Sequence, residues 1–193
     1  MILTVTMNPA VDISYVLPGF ELNTVNRVTV VGKTAGGKGL NVTRVIHLMN
    51  QPVLATGVIG GTVGDFIETA LGQEQIQHDF LKTTLASRNC IAILHNGAQT
   101  EILEEGPTLT KVEITGFLAK FTELLSTAKL VTISGSLPKG PSPYMYQQLI
   151  ALAQEKNVKV LLDCSGTPLR EAISGNSRPY LIKPNQDELI YLL

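Results

Sequence analysis

The sequence predicts an α/β layer fold with a mostly parallel sheet. Two observations carry this. Short apolar, β-rich runs alternate along the chain with segments of helical period. The runs are also apolar almost throughout rather than at every second residue, as in strands buried on both faces of a parallel sheet.

The first run is Ile2–Thr6, directly after Met1, and it reads as a strand. Val11–Val16 and Val25–Val31 read as further strands, neither followed by a helix that would return it to the same sheet. Gly36-Gly37-Lys38-Gly39-Leu40-Asn41 then opens a helix in which Val42, Val45, Ile46 and Met49 repeat at helical spacing. Val53–Ile59 is the next strand. The glycines from Gly57 to Gly64 connect it to another helix. Arg88–Leu94 and Thr100–Leu103 read as a hairpin turning near Asn96-Gly97. Thr110-Lys-Val-Glu113 is a capping box for a helix carrying Ile114, Phe117, Leu118, Phe121, Leu124 and Leu125 on one face. Leu130–Ile133 is a strand, and Ser142-Pro143 predicts a helix start with proline at its first position. Val158–Leu162 and Tyr180–Ile182 complete the strands, and Ile190–Leu193 reads as a growing helix. Val11–Val16, Val25–Val31 and the hairpin fit two arrangements equally: a small separate sheet inserted as a lid, or an extension of the main sheet's edge.

Composition excludes several classes of function. The 193 residues are 44% hydrophobic and 16% charged, the reverse of a disordered chain. Fifteen Lys and Arg against sixteen Asp and Glu leave no basic surplus for nucleic acid. No apolar run approaches the ~20 residues needed to span a bilayer. The start lacks the charged and apolar regions of a signal peptide. Two isolated cysteines, Cys90 and Cys164, make no disulfide framework and no zinc spacing, so a cytoplasmic, reducing setting is expected.

Chemistry-bearing residues gather where strands end, the place ligands occupy in open α/β sheets. Thr6-Met-Asn8-Pro-Ala-Val-Asp12, Ser134-Gly-Ser-Leu-Pro-Lys-Gly140, Asp163-Cys-Ser-Gly166 and Lys183-Pro-Asn185 each follow a strand. The Gly36–Asn41 turn lets backbone approach a ligand, and the helix it opens offers free N–H groups, with Lys38 adding a charge. This suits a phosphate or a row of hydroxyls. Gly32 to Lys38 resembles the start of a Walker A loop, but Gly39 stands where the Mg²⁺-binding hydroxyl belongs, so that reading is rejected. Gly57–Asp65 lacks dinucleotide spacing and reads as a strand-to-helix connection, which also removes an oxidoreductase reading. His47, His78 and His95 have no partner spacing and receive no role, and no Ser-His-Asp order or metal cage stands out.

The Thr6–Asp12 segment, Gly36–Asn41 with Val42-Thr-Arg44, Ser134-Gly-Ser-Leu-Pro138 and Lys183-Pro-Asn185-Gln-Asp-Glu188, in that order, closely resemble the PfkB (ribokinase-like) carbohydrate kinases. The resemblance covers essentially the whole chain. Within the family it is nearest to the D-tagatose-6-phosphate kinase branch, through Val25-Asn-Arg-Val28, Thr34–Arg44, Arg88–His95 and Gln99–Glu104, with 1-phosphofructokinase as the nearest competitor. It implies a ribokinase-like three-layer fold with a small β-sheet lid inserted at about 11–32 and 87–104. It also implies ATP- and Mg²⁺-dependent transfer of a phosphoryl group to the C1 hydroxyl of tagatose 6-phosphate, giving tagatose 1,6-bisphosphate. On this resemblance Asp12 would hold sugar hydroxyls, and Gly37 and Asn41 would contact the sugar. Lys38 and Arg88 would bind its phosphate, with Arg27 a further candidate, and Ser136 would face the junction of sugar and ATP. Lys183 would offer charge to the ATP phosphates, and Asn185 and Glu188 would arrange metal-bound water. The lid would pair two subunits into a homodimer.

The family's second signature, a D-T-x-G-A-G-D-like segment that carries the catalytic base, has no counterpart in this sequence. Gly60–Asp65 looks superficially similar but stands in the N-terminal half, so Asp65 is not assigned as the base. The chain therefore reads as the N-terminal portion of a single kinase domain, with the C-terminal portion missing and no catalysis expected from the 193 residues alone. A non-catalytic sugar-phosphate-binding fragment is the alternative of another class.

Overall fold

The computed structural model describes residues 1–192. Strand β1 (Ile2–Thr6) lies at the centre of a six-stranded sheet ordered β10-β9-β8-β1-β4-β5. Its other members are β4 (Val53–Gly60), β5 (Leu81–Thr83), β8 (Leu130–Ser134), β9 (Lys159–Asp163) and β10 (Leu181–Ile182). Every pairing in it is parallel. Helices α3 (Lys111–Leu124), α4 (Met145–Glu155) and α5 (Gly166–Ser174) cover one face, and α1 (Lys38–Leu48) and α2 (Gly61–Gln73) lie on the other.

Alternation along β1 shows how the layers divide. Leu3 and Val5 are fully buried and join Phe117, Phe121, Tyr146 and Leu149 in the larger core. Thr4 points the other way and shares a 2.7 Å hydroxyl hydrogen bond with Thr43 of α1, and the Thr43 hydroxyl also lies 2.9 Å from the Gly39 carbonyl. The second core joins Leu40 of α1 and Ile67 and Leu71 of α2 to Ala55 and Ile59 of β4.

A separate four-stranded mixed sheet, ordered β3-β2-β6-β7, stands beside this body. It comprises β2 (Ala10–Leu17), β3 (Val30–Gly36), β6 (Arg88–His95) and β7 (Ala98–Leu103). This decides between the two arrangements left open by periodicity. The hairpin turns at Asn96-Gly97, both in the left-handed region with φ 49° and 73°.

Several boundaries differ from the sequence reading. The strand expected at Val25–Val31 begins at Val30 and runs on to Gly36. Residues 25–29 form a loop closed by Asn26, which donates to the Glu21 carbonyl at 2.7 Å and accepts from the Glu21 N–H at 3.1 Å. The extension places Gly32 beside Ser14 and Gly36 beside Asp12, where an added Cβ would sit 2.4 and 2.1 Å from those side chains. The first helix opens at Lys38, so the glycine motif is its first turn. The helix expected from Ser142-Pro143 starts at Met145; Ser142 and Pro143 form the preceding turn, with the Ser142 hydroxyl accepting from the Tyr144 N–H. β5, only three residues long, has no signature in the sequence. At the end, α6 (Gln186–Leu192) agrees with the growing helix, and Leu193 lies outside the described residues.

Candidate functional site

A cavity of about 530 Å³ opens between the carboxyl ends of β1 and β8, the first turn of α1 and the inner face of the small sheet. It brings together six of the residues singled out in the sequence: Asp12, Gly37, Lys38, Asn41, Arg88 and Ser136. Gly37 sits at φ 105°, where an added Cβ would also press on Thr6 at 3.2 Å. It turns the chain from β3 into α1, so that Lys38 and Asn41 project from the helix's N-terminal turn.

Asp12 is half-buried. Burial pushes its carboxyl above the ordinary range, opposed by a hydrogen bond from the Gly37 N–H and by the positive charges of Arg88 and Arg44. Arg88 is braced by backbone: Nε donates to the Asn8 carbonyl at 3.3 Å and Nη1 to the Glu104 carbonyl at 2.8 Å. Asn8 completes the floor. Its Nδ2 group donates to the Glu105 carbonyl at 3.0 Å and to Ser136 Oγ at 3.3 Å, tying the exit of β7 to the loop after β8. That loop is held from below by Tyr146, fully buried, whose hydroxyl donates to the Gly135 carbonyl at 2.9 Å.

Asp163, at the end of β9, extends the site away from the small sheet. Its carboxylate lies 4.0 Å from Lys38 Nζ and 3.5 Å from Lys183 Nζ. Together with Thr132, Ser134 and Lys183 it lines a second cavity of about 170 Å³. Four buried side-chain oxygens in the described residues have no hydrogen-bond partner: Thr6 Oγ1, Asn8 Oδ1, Thr132 Oγ1 and Asp163 Oδ1. All four belong to residues lining one cavity or the other. Orphaned acceptors cost free energy in a core, so their clustering here marks a place built for something polar.

Arg27 does not join this group; it lies exposed in the loop before β3. Asn185 and Glu188 form a capping box at the start of α6. The Asn185 N–H donates to Glu188 Oε2 at 2.9 Å, and the Glu188 N–H to Asn185 Oδ1 at 2.8 Å. Sequence reasoning assigned no role to Thr6, Asn8, Cys90, Glu101 or Asp163. Thr6, Asn8 and Asp163 stand inside strand-end clusters visible in the sequence, whereas Cys90 and Glu101 reach the cavity only through strand register. Among the described residues no group of three His, Cys, Asp or Glu side chains could hold a bare metal ion. No described helix is long and apolar enough to cross a membrane. Cys90 and Cys164 are both free thiols.

Asp163 is charge-compensated by its two lysines, whereas Glu188 uses only Oε2 in its capping box, which leaves its second oxygen of the right chemistry for a water of a hydrated divalent cation, since Mg²⁺ keeps several of its waters.

The sequence pattern of a family described as "pfkB family carbohydrate kinase" matches residues 5–193. Among solved structures, one from Thermotoga maritima, described as a possible 1-phosphofructokinase, superimposes with a TM-score of 0.91 at 30% identity. That alignment covers 97% of this chain and 61% of the other. The phosphofructokinase-2 of Escherichia coli in complex with fructose-6-phosphate gives 0.91 at 29% identity, covering 99% of this chain and 63% of that one. The same enzyme is known in a tetrameric inhibited form, at 0.90 and 28% with coverages of 99% and 63%. A ribokinase from Giardia lamblia shares the fold at 0.73 and 14% identity, with 98% of this chain and 59% of that one covered. The fold is thus ribokinase-like, and the chain spans about three fifths of the length of these relatives.

Proposed function

The chain belongs to the pfkB family of carbohydrate kinases, and on that premise we propose that its main cavity binds a ketose phosphate. We further propose that the protein transfers a phosphoryl group from ATP to the C1 hydroxyl of D-tagatose 6-phosphate, giving tagatose 1,6-bisphosphate. The observation that carries this reading is the cavity itself. One carboxylate for hydroxyls, Asp12, faces the same space as two cations for phosphate, Lys38 and Arg88, over a floor of orphaned polar atoms.

The roles follow from chemistry. Asp12 accepts hydrogen bonds from sugar hydroxyls, and ionised acceptors make the stronger bonds. The Gly37 turn admits the sugar close to backbone, with Asn41 and Ser136 offering further polar contacts. Arg88, already oriented by Asn8 and Glu104, keeps donors free for a phosphate. Lys38 and Lys183 flank Asp163 and stabilise negative charge where the two phosphate-bearing substrates would meet, since phosphoryl transfer rests mainly on positioning and charge. ATP would supply the phosphoryl group, and Mg²⁺, which Glu188 would hold through water, would neutralise its charge. Glu188 spends one oxygen on the capping box, which fixes where the other faces. Arg27, outside the cavity, would serve only from a loop that closes or from a second subunit. The apolar residues Val16, Val30, Ile102 and Leu103, exposed on the small sheet, support a homodimer formed there.

A fructose phosphate is the second reading, favoured by the likeness to a phosphofructokinase-2 that binds fructose-6-phosphate. Tagatose and fructose differ at one stereocentre. Comparing kcat/KM of the full-length protein for tagatose 6-phosphate, fructose 6-phosphate and fructose 1-phosphate with Mg-ATP decides between them; a clear preference for a fructose phosphate overturns the tagatose assignment. The 193-residue chain by itself is expected to bind sugar phosphate without turnover, because the sequence carries no segment for the base. Robust phosphorylation by that chain contradicts this.

A further inference from the structure

A guanidinium that grips phosphate works best when it is already aimed. Two carbonyls aim Arg88: that of Asn8, just past β1, and that of Glu104, just past β7. Among the described residues its Nη2 makes no hydrogen bond, and no carboxylate pairs with it. The aim therefore depends on how the Asn8 and Glu104 segments sit relative to each other. The Asn8 side chain joins them. Its Nδ2 group donates to the carbonyl of Glu105, the neighbour of Glu104, at 3.0 Å. The same group reaches Ser136 Oγ at 3.3 Å and the Leu137 carbonyl at 3.4 Å on the opposite wall. Asn8 is 5% exposed, so these bonds are shielded from water. Gly106 makes room for the clamp, since an added Cβ there would lie 2.3 Å from Asn8 Oδ1. Pro9 restricts the backbone of the residue before it, which limits where the Asn8 carbonyl can point. Asparagine in such a segment ordinarily bonds backbone within a residue or two, as turn chemistry. Every side-chain partner of Asn8 is instead at least 97 positions away.

We propose that Asn8 is a positioning residue for the phosphate of the bound ligand: by clamping the Glu104–Glu105 segment to the end of β1, its side chain holds Arg88 aimed into the cavity with its outer donors free. Asn8 acts through Arg88 and needs no contact with the ligand. The clamp reduces the side-chain freedom that Arg88 would otherwise lose on binding. The ligand class is phosphate-bearing, and the proposal rests on the sugar-phosphate reading of the cavity.

The test is a double-mutant cycle read by calorimetric titration with tagatose 6-phosphate and fructose 6-phosphate. It compares the unsubstituted chain, Asn8→Ala, Arg88→Lys and the double variant. Lysine keeps the charge at position 88 but gives up the two-carbonyl brace. Asn8→Ala and Arg88→Lys are each expected to weaken the better-bound sugar phosphate by roughly 10-fold. Adding Asn8→Ala to Arg88→Lys is expected to change affinity by less than about 2-fold, because the clamp has nothing left to aim. A merely structural role would weaken binding equally in both backgrounds, and that result, or no loss in Asn8→Ala, overturns the proposal while the cavity reading stands. A second readout uses the unsubstituted chain and does not depend on how the variants fold. In nitrogen-15 NMR of the arginine side chains, the Arg88 Nε–H should exchange with water roughly 10-fold more slowly than that of exposed Arg27 before any ligand is added. Equal exchange of the two overturns the aiming of Arg88. If the unsubstituted chain binds neither sugar phosphate, the cavity reading fails and the role of Asn8 with it.

Discussion

Asp12 is held between opposing influences. Burial favours its neutral form; the Gly37 N–H, Arg88 and Arg44 favour the charged one, and burial wins. A carboxyl raised above its unfolded value of 3.8 stabilises the folded chain fully below that value, and this contribution is lost as pH rises through the folded-state value. Ligand binding runs the other way. An ionised carboxylate is the stronger acceptor for sugar hydroxyls, so if Asp12 holds them, sugar-phosphate affinity should fall on acidification from a higher pH than an ordinary aspartate would give. Asp12→Asn is expected to weaken sugar-phosphate binding by roughly 10-fold and to remove that part of the pH dependence. Titrations between pH 4 and 8, chosen to span this range (roughly, from the ordinary carboxylate value upward), check both; an unaltered pH profile in the variant would mean that Asp12 is not the group responsible. Asp12 was readable from its motif. Asn8, which braces Arg88 and Ser136 together, was visible only as one polar residue in a turn-like segment, because its partners lie 80 or more positions away in the chain.

At the scale of elements, capping chemistry proved the most legible feature. Thr110 and Glu113 make both bonds of the box expected from their spacing, and Glu113 also accepts from the Thr84 N–H at 2.7 Å, joining α3 to the segment after β5. These backbone N–H groups hold the Glu113 carboxyl down at about 2. A lowered carboxyl contributes stability above its unfolded value of 4.5 and loses it as pH falls through the folded value, so the box should weaken between those two limits. Thr110→Ala is expected to cost about 1 kcal/mol in chemical denaturation at neutral pH, and Glu113→Gln to flatten stability between pH 4.5 and about 2. A denaturation midpoint that stays put in Thr110→Ala would show the cap to be dispensable. The proline-initiated start at Ser142 illustrates the opposite case. Serine and proline serve a turn as readily as a helix start, and only the packing of Met145 and Tyr146 into the core selects where α4 begins.

At the scale of the whole molecule, the small sheet leaves Val16, Val30, Val31 and Ile102 exposed, with 44–58% of their surface open. A sheet with exposed apolar residues on both faces, Val16 and Val30 on the Asp12 face and Val31 and Ile102 on the other, and with free edges invites pairing. The chain is expected to sediment as a dimer at micromolar concentration, and Val30→Lys with Ile102→Lys to shift it toward monomer without unfolding it. Monomeric sedimentation of the unsubstituted chain would sink the pairing.

What the sequence determined by itself was local: which runs are strands, where α3 is capped, and which polar residues stand at strand ends. These rest on backbone geometry and on contacts within a few residues, which period and spacing express directly. The tertiary structure decided what depends on chain segments meeting. It made the small sheet separate, started β3 at Val30 and carried it into the glycine turn, and left Arg27 outside the cavity. It brought Asp163 between Lys38 and Lys183 and turned Glu101 toward Asp12's cavity. The reason is register. A side chain's face in a strand alternates with every residue, so a one-position slip reverses it, and register is settled only when strands far apart in sequence pair.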